Sequence, residues 1–209
     1  MVMLCWAIEQ LSDVHYVGLC HSVQNTARDI ASYIGAPLEE MAYWTAGINH
    51  MAWFLKLSHK GQDIYPRFWE AIQDPYIYAQ ESVRFDVARY FGYMVTEESI
   101  STCDQLPYFD HDVHTKAQYE ICSLYGPNRE YARQEALEQT VLDPLQGEGK
   151  LIIDRSDEYG SRILNAIETD TLFRFNGNVA NHGYIDNLPE GCSVEVPCEV
   201  DGKGIHPVT

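Results

Sequence analysis

The sequence predicts an α+β domain, and three observations carry that expectation. Val23, Ala27, Ile30 and Ile34 recur at helical spacing. Two aromatic-rich extended segments flank Asn49 and His50. Val194, Val196, Cys198 and Val200 alternate with Glu195, Pro197 and Glu199 as in a half-exposed strand.

A chain of 209 residues is long enough for one good core or for a domain with a large appendage. With 45% hydrophobic and 22% charged residues it reads as globular, not disordered. Its 31 acidic and 14 basic residues give a formal net charge of -17, which would repel nucleic acid or an anionic membrane surface. No run approaches the ~20 apolar residues that cross a bilayer. The apolar start, Met1 to Ile8, lacks a basic leader and runs into Glu9, so it is not a signal peptide. Six cysteines are too few for a disulfide scaffold. Cys192 and Cys198 on one extended strand would lie roughly 20 Å apart, beyond disulfide reach. A reducing, cytoplasmic setting fits and keeps Cys20 available as a thiolate.

Taken in order, Met1 to Leu11 reads as a helix and His15 to Leu19 as a buried strand ending at Cys20. Ser22 then caps a helix to Ile34, with Gly35 as its stop. Strand, cysteine and helix in that order put Cys20 and His21 at a strand's carboxyl end, where open sheets bind ligands. Glu40 to Ala46 and Met51 to Leu57 are strand-like, with Lys60-Gly61 as a turn and Pro66 opening a short helix. Glu81 to Phe91 reads as a helix with Val83, Val87, Tyr90 and Phe91 inward, Arg84 and Asp86 elsewhere on its surface, and Gly92 as its stop. Thr96 to Pro107 reads as a polar loop. Val113, Ala117, Ile121 and Leu124 mark a helix, 128–142 continues helical, Gly147 to Gly149 is a break, and Ser156 to Ile167 is helical again. Phe173 to Val179 reads as a strand before turns at Asn181 and Gly183, and Pro197 predicts an edge position for the last strand.

The chemistry gathers in Val17 to Val23 and Ala46 to Met51. The first segment delivers Cys20 and His21; the second delivers Asn49 and His50. A thiolate with an imidazole suits a divalent metal such as Mn, Fe, Co, Ni or Zn, and an amide suits a hydroxylated ligand. Two ligands leave the metal open, since structural sites normally close with four. Spacing alone also allows the ordinary reading of a buried cysteine and an unrelated histidine.

Cys20-His21-Ser22-Val23-Gln24 followed by Ala46-Gly47-Ile48-Asn49-His50-Met51-Ala52-Trp53 resembles the NAD- and manganese-dependent alpha-galactosidases of glycoside hydrolase family 4. Further segments resemble the family in family order. They are Gly61 to Pro66, Val83-Arg84 to Gly92-Tyr93-Met94-Val95-Thr96-Glu97, Arg155 to Tyr159, Gly177 to Asn181, Ile185 to Pro189, and Val194 to Cys198. The resemblance implies the metal- and substrate-binding portion of a lactate-dehydrogenase-like two-domain glycosidase, α/β in its full-length form. It implies redox elimination in place of the usual carboxylate pair: NAD oxidises C3 of the sugar, the C2 proton becomes acidic, the aglycone leaves C1, and water adds. It assigns Cys20 and His50 as metal ligands, His21 as the acid for the leaving group, Asn49 as a sugar contact and Asp86 as the C2 base. NAD-contacting residues are not identified, and Asp86 is equally readable as a solvated helix carboxylate.

The resemblance further implies that residues 1–20 end a nucleotide-binding domain, that 21–209 form the catalytic domain without its C-terminal end, and that the whole enzyme is a homo-oligomer acting on an alpha-galactoside. Neither nucleic acid nor a membrane is implied as a partner. No strand, G-x-G-x-x-G turn and helix precede Cys20, so the isolated chain is expected to hydrolyse nothing and to expose apolar surface along Met1 to Leu19. Glu97 to Gln105 departs from the family pattern by lacking its His and Tyr. Alternatives are a non-catalytic relative that binds sugar or metal or only assembles, and an enzyme for alpha-glucosides or uronides.

Overall fold

An antiparallel hairpin, β1 (Met41–Ile48) and β2 (Met51–His59), is the centre on which the other elements assemble. The computed structural model describes residues 1–109, 114, 115, 119 and 158–208. Residues 1–106 and 159–209 form one compact unit, and 107–158 form a second. The expected helices through Val113–Leu124 and 128–142, the break at Gly147 to Gly149 and the start of the Ser156 helix lie outside the described residues, apart from a few positions.

Beyond β2 lie the short strands β3 (Gln62–Asp63) and β4 (Met94–Val95). On the other side of β1 come β6 (Ser193–Asp201) and then β5 (Phe173–Ala180), while β7 (Gly204–Pro207) also pairs with β6. Every described pairing is antiparallel, so the expected α+β class holds for this chain. The hairpin carries one irregularity. Trp44 pairs with Lys56 and Thr45 with Phe54, leaving Leu55 as an extra residue. That bulge shifts the side-chain parity, which lets Phe54 and Leu57, three apart, both enter the core.

Helix α2 (Ser22–Tyr33) lays Val23, Ala27 and Ile30 into that core, and Gly35 ends the segment at a positive φ of 61°. Phe68 of α3 (Tyr65–Ala71) and Phe85 of α5 (Ser82–Phe91) fill the rest, with α4 (Pro75–Tyr78) capped by Asp74 between them. The rings of Tyr33, Phe68 and Tyr78 all lie against Phe85. A second, smaller core joins Ile163 and Ala166 of α7 (Tyr159–Thr169) to Phe175, Val179, Val194, Val196 and Cys198. The first helix, α1 (Val2–Leu11), packs on β5 and β6 through Cys5. Met3, Leu4, Leu11 and Val14 stay exposed, so the apolar surface expected along the first residues is present.

Several expectations are corrected. His15 to Leu19 is not a strand; a single antiparallel bridge joins Gly18 to Asn178. That bridge is a close approach that suits glycine: a Cβ at Gly18 would lie 2.7 Å from Cys5 Sγ. Ser22 is the first residue of α2 and makes no cap; His21 occupies the N-cap position, without a side-chain capping bond. Tyr90 and Phe91 are exposed, and Arg84 is buried in their stead. Thr96 to Pro107 contains a helix, α6 (Ser99–Gln105), entered when Glu81 accepts from the Ser99 N–H at 2.7 Å.

The strand that carries Pro197, β6, is internal, with β5 on one side and β1 and β7 on the other. Pro197 is tolerated because its carbonyl, accepting from Val208 N–H at 2.8 Å, points past the end of the β1 contact, and its nitrogen faces the same way. Glu195 is buried rather than solvated, because its face of the sheet is occupied by the hairpin turn, whose Asn49 donates to its Oε2. Cys192 and Cys198 are free thiols, as expected from their spacing.

Candidate functional site

Two arms carry the candidate residues. The Gly18–Asn178 bridge, with N–H to O distances of 2.9 and 2.8 Å in the two directions, fixes the first arm against β5. Two residues on, Cys20 is half-buried, and His21 is exposed with its carbonyl accepting the first bond of α2 from Asn25 at 2.9 Å. The second arm is the hairpin turn. Asn49 and His50 are the two residues between the paired Ile48 and Met51, and His50 takes a positive φ of 69°. A Cβ at Gly47 would sit 2.6 Å from Ala52 Cα and from Met51 O, so only glycine lets the two backbones close there.

Each turn residue is backed by an acid from a different element. The imidazole Nε2 of His50 lies 3.1 Å from Glu97 Oε2. The Asn49 amide donates from Nδ2 to Glu195 Oε2 at 3.4 Å. Burial pushes the Glu97 carboxyl above the usual range, with His50 opposing. Burial pushes Glu195 up to about 7, opposed by the Asn49 hydrogen bond and assisted by the charge of Glu97.

Behind Glu97 lies a buried guanidinium. Arg84, 1% exposed, donates to Asp29 at 2.7 Å, to Thr26 Oγ1 at 3.1 Å and to the Glu97 carbonyl at 3.4 Å. Thr26 Oγ1 in turn donates to the Thr96 carbonyl at 2.6 Å, and the Thr96 N–H donates to Ala52 O at 2.9 Å. Helices α2 and α5, strand β2 and the Thr96–Glu97 segment are thereby tied at one point. The two arms meet through the strands as well, because Asn178, bridged to Gly18, is the register partner of Glu195, which holds Asn49.

Asp86 is placed elsewhere. It lies two residues from Arg84, so the two side chains leave α5 roughly 160° apart. Its carboxylate accepts from Tyr78 Oη at 2.8 Å and pairs with Arg89 at 3.3 Å. The structure gathers Asn49 and His50 on one turn and links that turn to the Cys20 arm; it sets Asp86 on the far face of α5.

A divalent metal fits this donor set only as an open site. Among the described residues no group of three or more His, Cys, Asp or Glu is placed to hold a metal ion. The thiol and imidazole chemistry suits a borderline cation, and Glu97 suits the supporting role. With Nε2–H donating to Glu97, His50 keeps Nδ1 as its lone-pair nitrogen.

Sequence reasoning missed Glu97, Glu195 and Arg84. Glu97 and Arg84 stand inside recognisable segments, yet nothing in their spacing tells a buried charge from a solvated one. Glu195 alternates like Glu199 and both have paired strands on either side; what separates them is that the hairpin turn meets Glu195 through Asn49, whereas Glu199 faces the exposed Arg174.

Comparison with known proteins bears directly on this geometry. Residues 45–209 match the family model described as the family 4 glycosyl hydrolase C-terminal domain. The chain is 37% identical over 214 residues to an alpha-galactosidase of Bacillus subtilis (strain 168), covering 99% of this chain and 48% of that protein. It is 33% identical over 219 residues to an alpha-galactosidase of Rhizobium meliloti (strain 1021), covering 100% and 45%. In fold it resembles a 6-phospho-alpha-glucosidase from gut microorganisms in complex with NAD and glucose-6-phosphate, with a TM-score of 0.75 at 16% identity over 99% and 50% of the two chains. It also resembles the 6-phospho-beta glucosidase of Thermotoga maritima with manganese, NAD+ and glucose-6-phosphate, with a TM-score of 0.65 at 22% identity over 100% and 48%. At those identities the solved structures speak for the fold alone. The chain spans about half the length of the curated relatives it matches. A family model over residues 45–209, together with these two relatives across the whole chain, establishes that the chain belongs to glycosyl hydrolase family 4 and carries its C-terminal domain.

Proposed function

We propose that this chain is the metal- and sugar-binding part of an alpha-galactosidase that works by NAD-dependent redox elimination. The observation that carries the reading is the hairpin turn, which presents Asn49 and His50 side by side, each held by its own acid, buried Glu195 and half-buried Glu97, on a scaffold tied to the Cys20 arm. The two alpha-galactosidase relatives support the choice of sugar.

In this reading Cys20 and His50 hold the divalent metal, Mn by analogy with the manganese-containing relative. When bound, the metal supplies Lewis acidity to sugar oxygens and NAD supplies hydride transfer. The chain's own residues do the rest. Glu97 fixes the His50 tautomer. Asn49 binds a sugar hydroxyl through its free carbonyl, because its amide N–H is engaged with Glu195. His21, exposed beside Cys20 at the start of α2, serves as the proton donor to the leaving oxygen, a role an imidazole fills near neutral pH. No residue of this chain is assigned to NAD. Asp86, bonded to Tyr78 and Arg89, remains the proposed C2 base only if the substrate reaches the far face of α5.

The test is hydrolysis of an aryl alpha-galactoside with Mn, NAD and a thiol reductant, by the protein that includes this chain together with its nucleotide-binding half. Turnover with exchange of the C2 hydrogen into solvent, lost in Cys20→Ser, supports the reading. Hydrolysis independent of NAD and without C2 exchange contradicts it. Running alpha-glucosides and alpha-galacturonides beside the galactoside decides among the activities of the more distant relatives, an alpha-glucosidase of Erwinia rhapontici and an alpha-galacturonidase of Thermoanaerobacterium saccharolyticum. The 209-residue chain alone should show no turnover, since hydride transfer needs the acceptor held within ~3–3.5 Å of C3.

A further inference from the structure

Glu195 is wholly removed from solvent on β6, between Gly47 of β1 and Asn178 of β5. Its Oε2 accepts from Asn49 Nδ2 at 3.4 Å, while among the described residues its Oε1 has no partner. Asn178, directly across the ladder and equally buried, shows the same imbalance. Its Nδ2 donates to the Gly18 carbonyl at 3.4 Å, and its Oδ1 has no partner. Register partners share one face of a sheet, with Cβ atoms roughly 5 Å apart. Two buried acceptors without donors therefore occupy opposite positions on one face. Turning the Asn178 amide over would offer Nδ2 to Glu195 but set Oδ1 about 3.4 Å from the Gly18 carbonyl oxygen, which already accepts from the Asn178 N–H at 2.8 Å.

One proton satisfies both groups. We propose that Glu195 is a neutral carboxylic acid whose Oε1–H donates to Asn178 Oδ1, making it the positioning residue that joins the Asn49 turn to the Cys20 arm. Donation then runs in a single direction, from Asn49 to Glu195, from Glu195 to Asn178, and from Asn178 to the Gly18 carbonyl, two residues before Cys20. The burial that pushes this carboxyl up to about 7 is consistent with the network. So is its electrostatic company: Glu97 beyond Asn49, Tyr159 from α7 and Cys198 on its own strand, none of which can carry positive charge. A carboxylate with a single long hydrogen bond in that company would be uncompensated. The consequence for Asn49, that its Oδ1 is kept facing a sugar hydroxyl, rests on the proposed function; the protonation and its hydrogen bond do not.

Glu195→Gln tests the inference, because glutamine reproduces the neutral donor and acceptor that the network requires. Stability against urea is compared between wild type and variant from pH 5 to 9, alongside infrared difference spectra at pH 6. The sign follows from the raised proton affinity of the folded carboxyl. Wild type loses stability relative to Glu195→Gln as pH rises from the ordinary carboxylate range to about 7, and the gap stays constant above that. The expected result is near-equal stability at pH 5, a folding constant at least ~10-fold greater for Glu195→Gln at pH 8, and a protonated-carboxyl C=O stretch in wild type that the variant lacks. A variant less stable than wild type at pH 8, or one that does not fold, overturns the proposal. So does a spectrum showing only carboxylate at pH 6. The band can also be read in Glu97→Gln, where the half-buried carboxyl of the site is removed. These readouts need neither sugar nor turnover, so failure of the glycosidase reading would leave them unchanged.

Discussion

Two buried regions on one face of the β1–β2 hairpin are chemically unlike. One packs Phe54, Leu57, Phe68, Phe85 and Met94 into an apolar core. The seam around the hairpin's turn and base buries Thr45, Asn49, Asn176, Asn178, Glu195 and, behind Glu97, Arg84. Apolar burial stabilises by roughly 25 cal/mol per Å² and asks only for a filled space. Buried polar groups gain little net energy and lose a good deal if one partner is missing. The seam is therefore a poor way to build stability and a good way to hold a few side chains in one geometry. Its members surround the turn that carries Asn49 and His50, and that coincidence is the strongest structural argument that this turn is the working part of the domain.

The largest expected effect comes from Arg84→Ala. Removing the guanidinium leaves Asp29, Glu81 and Thr26 without their shared donor and should cost about 4–5 kcal/mol of unfolding free energy. Phe54→Ala in the apolar core should cost about 3–4 kcal/mol. The sharper contrast lies in conservative replacement. Phe54→Leu keeps much of the packing and should lose only about 1.5 kcal/mol, whereas Arg84→Met keeps the volume and should still lose most of the stability. Urea unfolding of the four variants checks this. Equal rescue at both positions would mean that the Arg84 cluster is packing and no more.

Those paired effects also mark how much could be read from the sequence. The helix stripe of Val23, Ala27 and Ile30, the strand pair around Asn49 and His50, and the glycine stops at Gly35 and Gly92 were legible, because period and φ preference are local properties. Cys20, His21, Asn49 and His50 were legible through ordered motifs. Arg84 and Glu195 were not, because a charge's burial is decided by what arrives from distant parts of the chain: α2 and the Thr96–Glu97 segment for Arg84, β1 and β5 for Glu195. The strand expected at His15 to Leu19 failed for a related reason. Its apolar content is real, but among the described residues it meets β5 in a single bridge, Gly18 to Asn178. Pro197 misled because a proline beside a change of partner strand costs no ladder bond, so an internal strand could keep it.

The smallest effect belongs to the exposed end of the same strands. Arg174 and Glu199 pair at 2.7 Å across β5 and β6, but the arginine is largely exposed. Glu199→Ala should change stability by less than ~1 kcal/mol and lose even that in high salt. Set beside Glu195, four residues earlier on the same strand, it shows that position in the sheet, not residue type, decides what a glutamate does here.

The claim that the polar seam exists to hold a metal-binding turn is tested most directly by Mn2+ titration of the chain, followed by calorimetry or electron paramagnetic resonance. Wild type should bind with a measurable affinity; Cys20→Ser and His50→Ala should abolish binding with thermal stability nearly unchanged; and Glu97→Gln should weaken binding by about 10–100-fold through the His50 it orients. Affinity unchanged in Cys20→Ser and His50→Ala would contradict the account and leave the acids behind Asn49 and His50 as features of the fold alone.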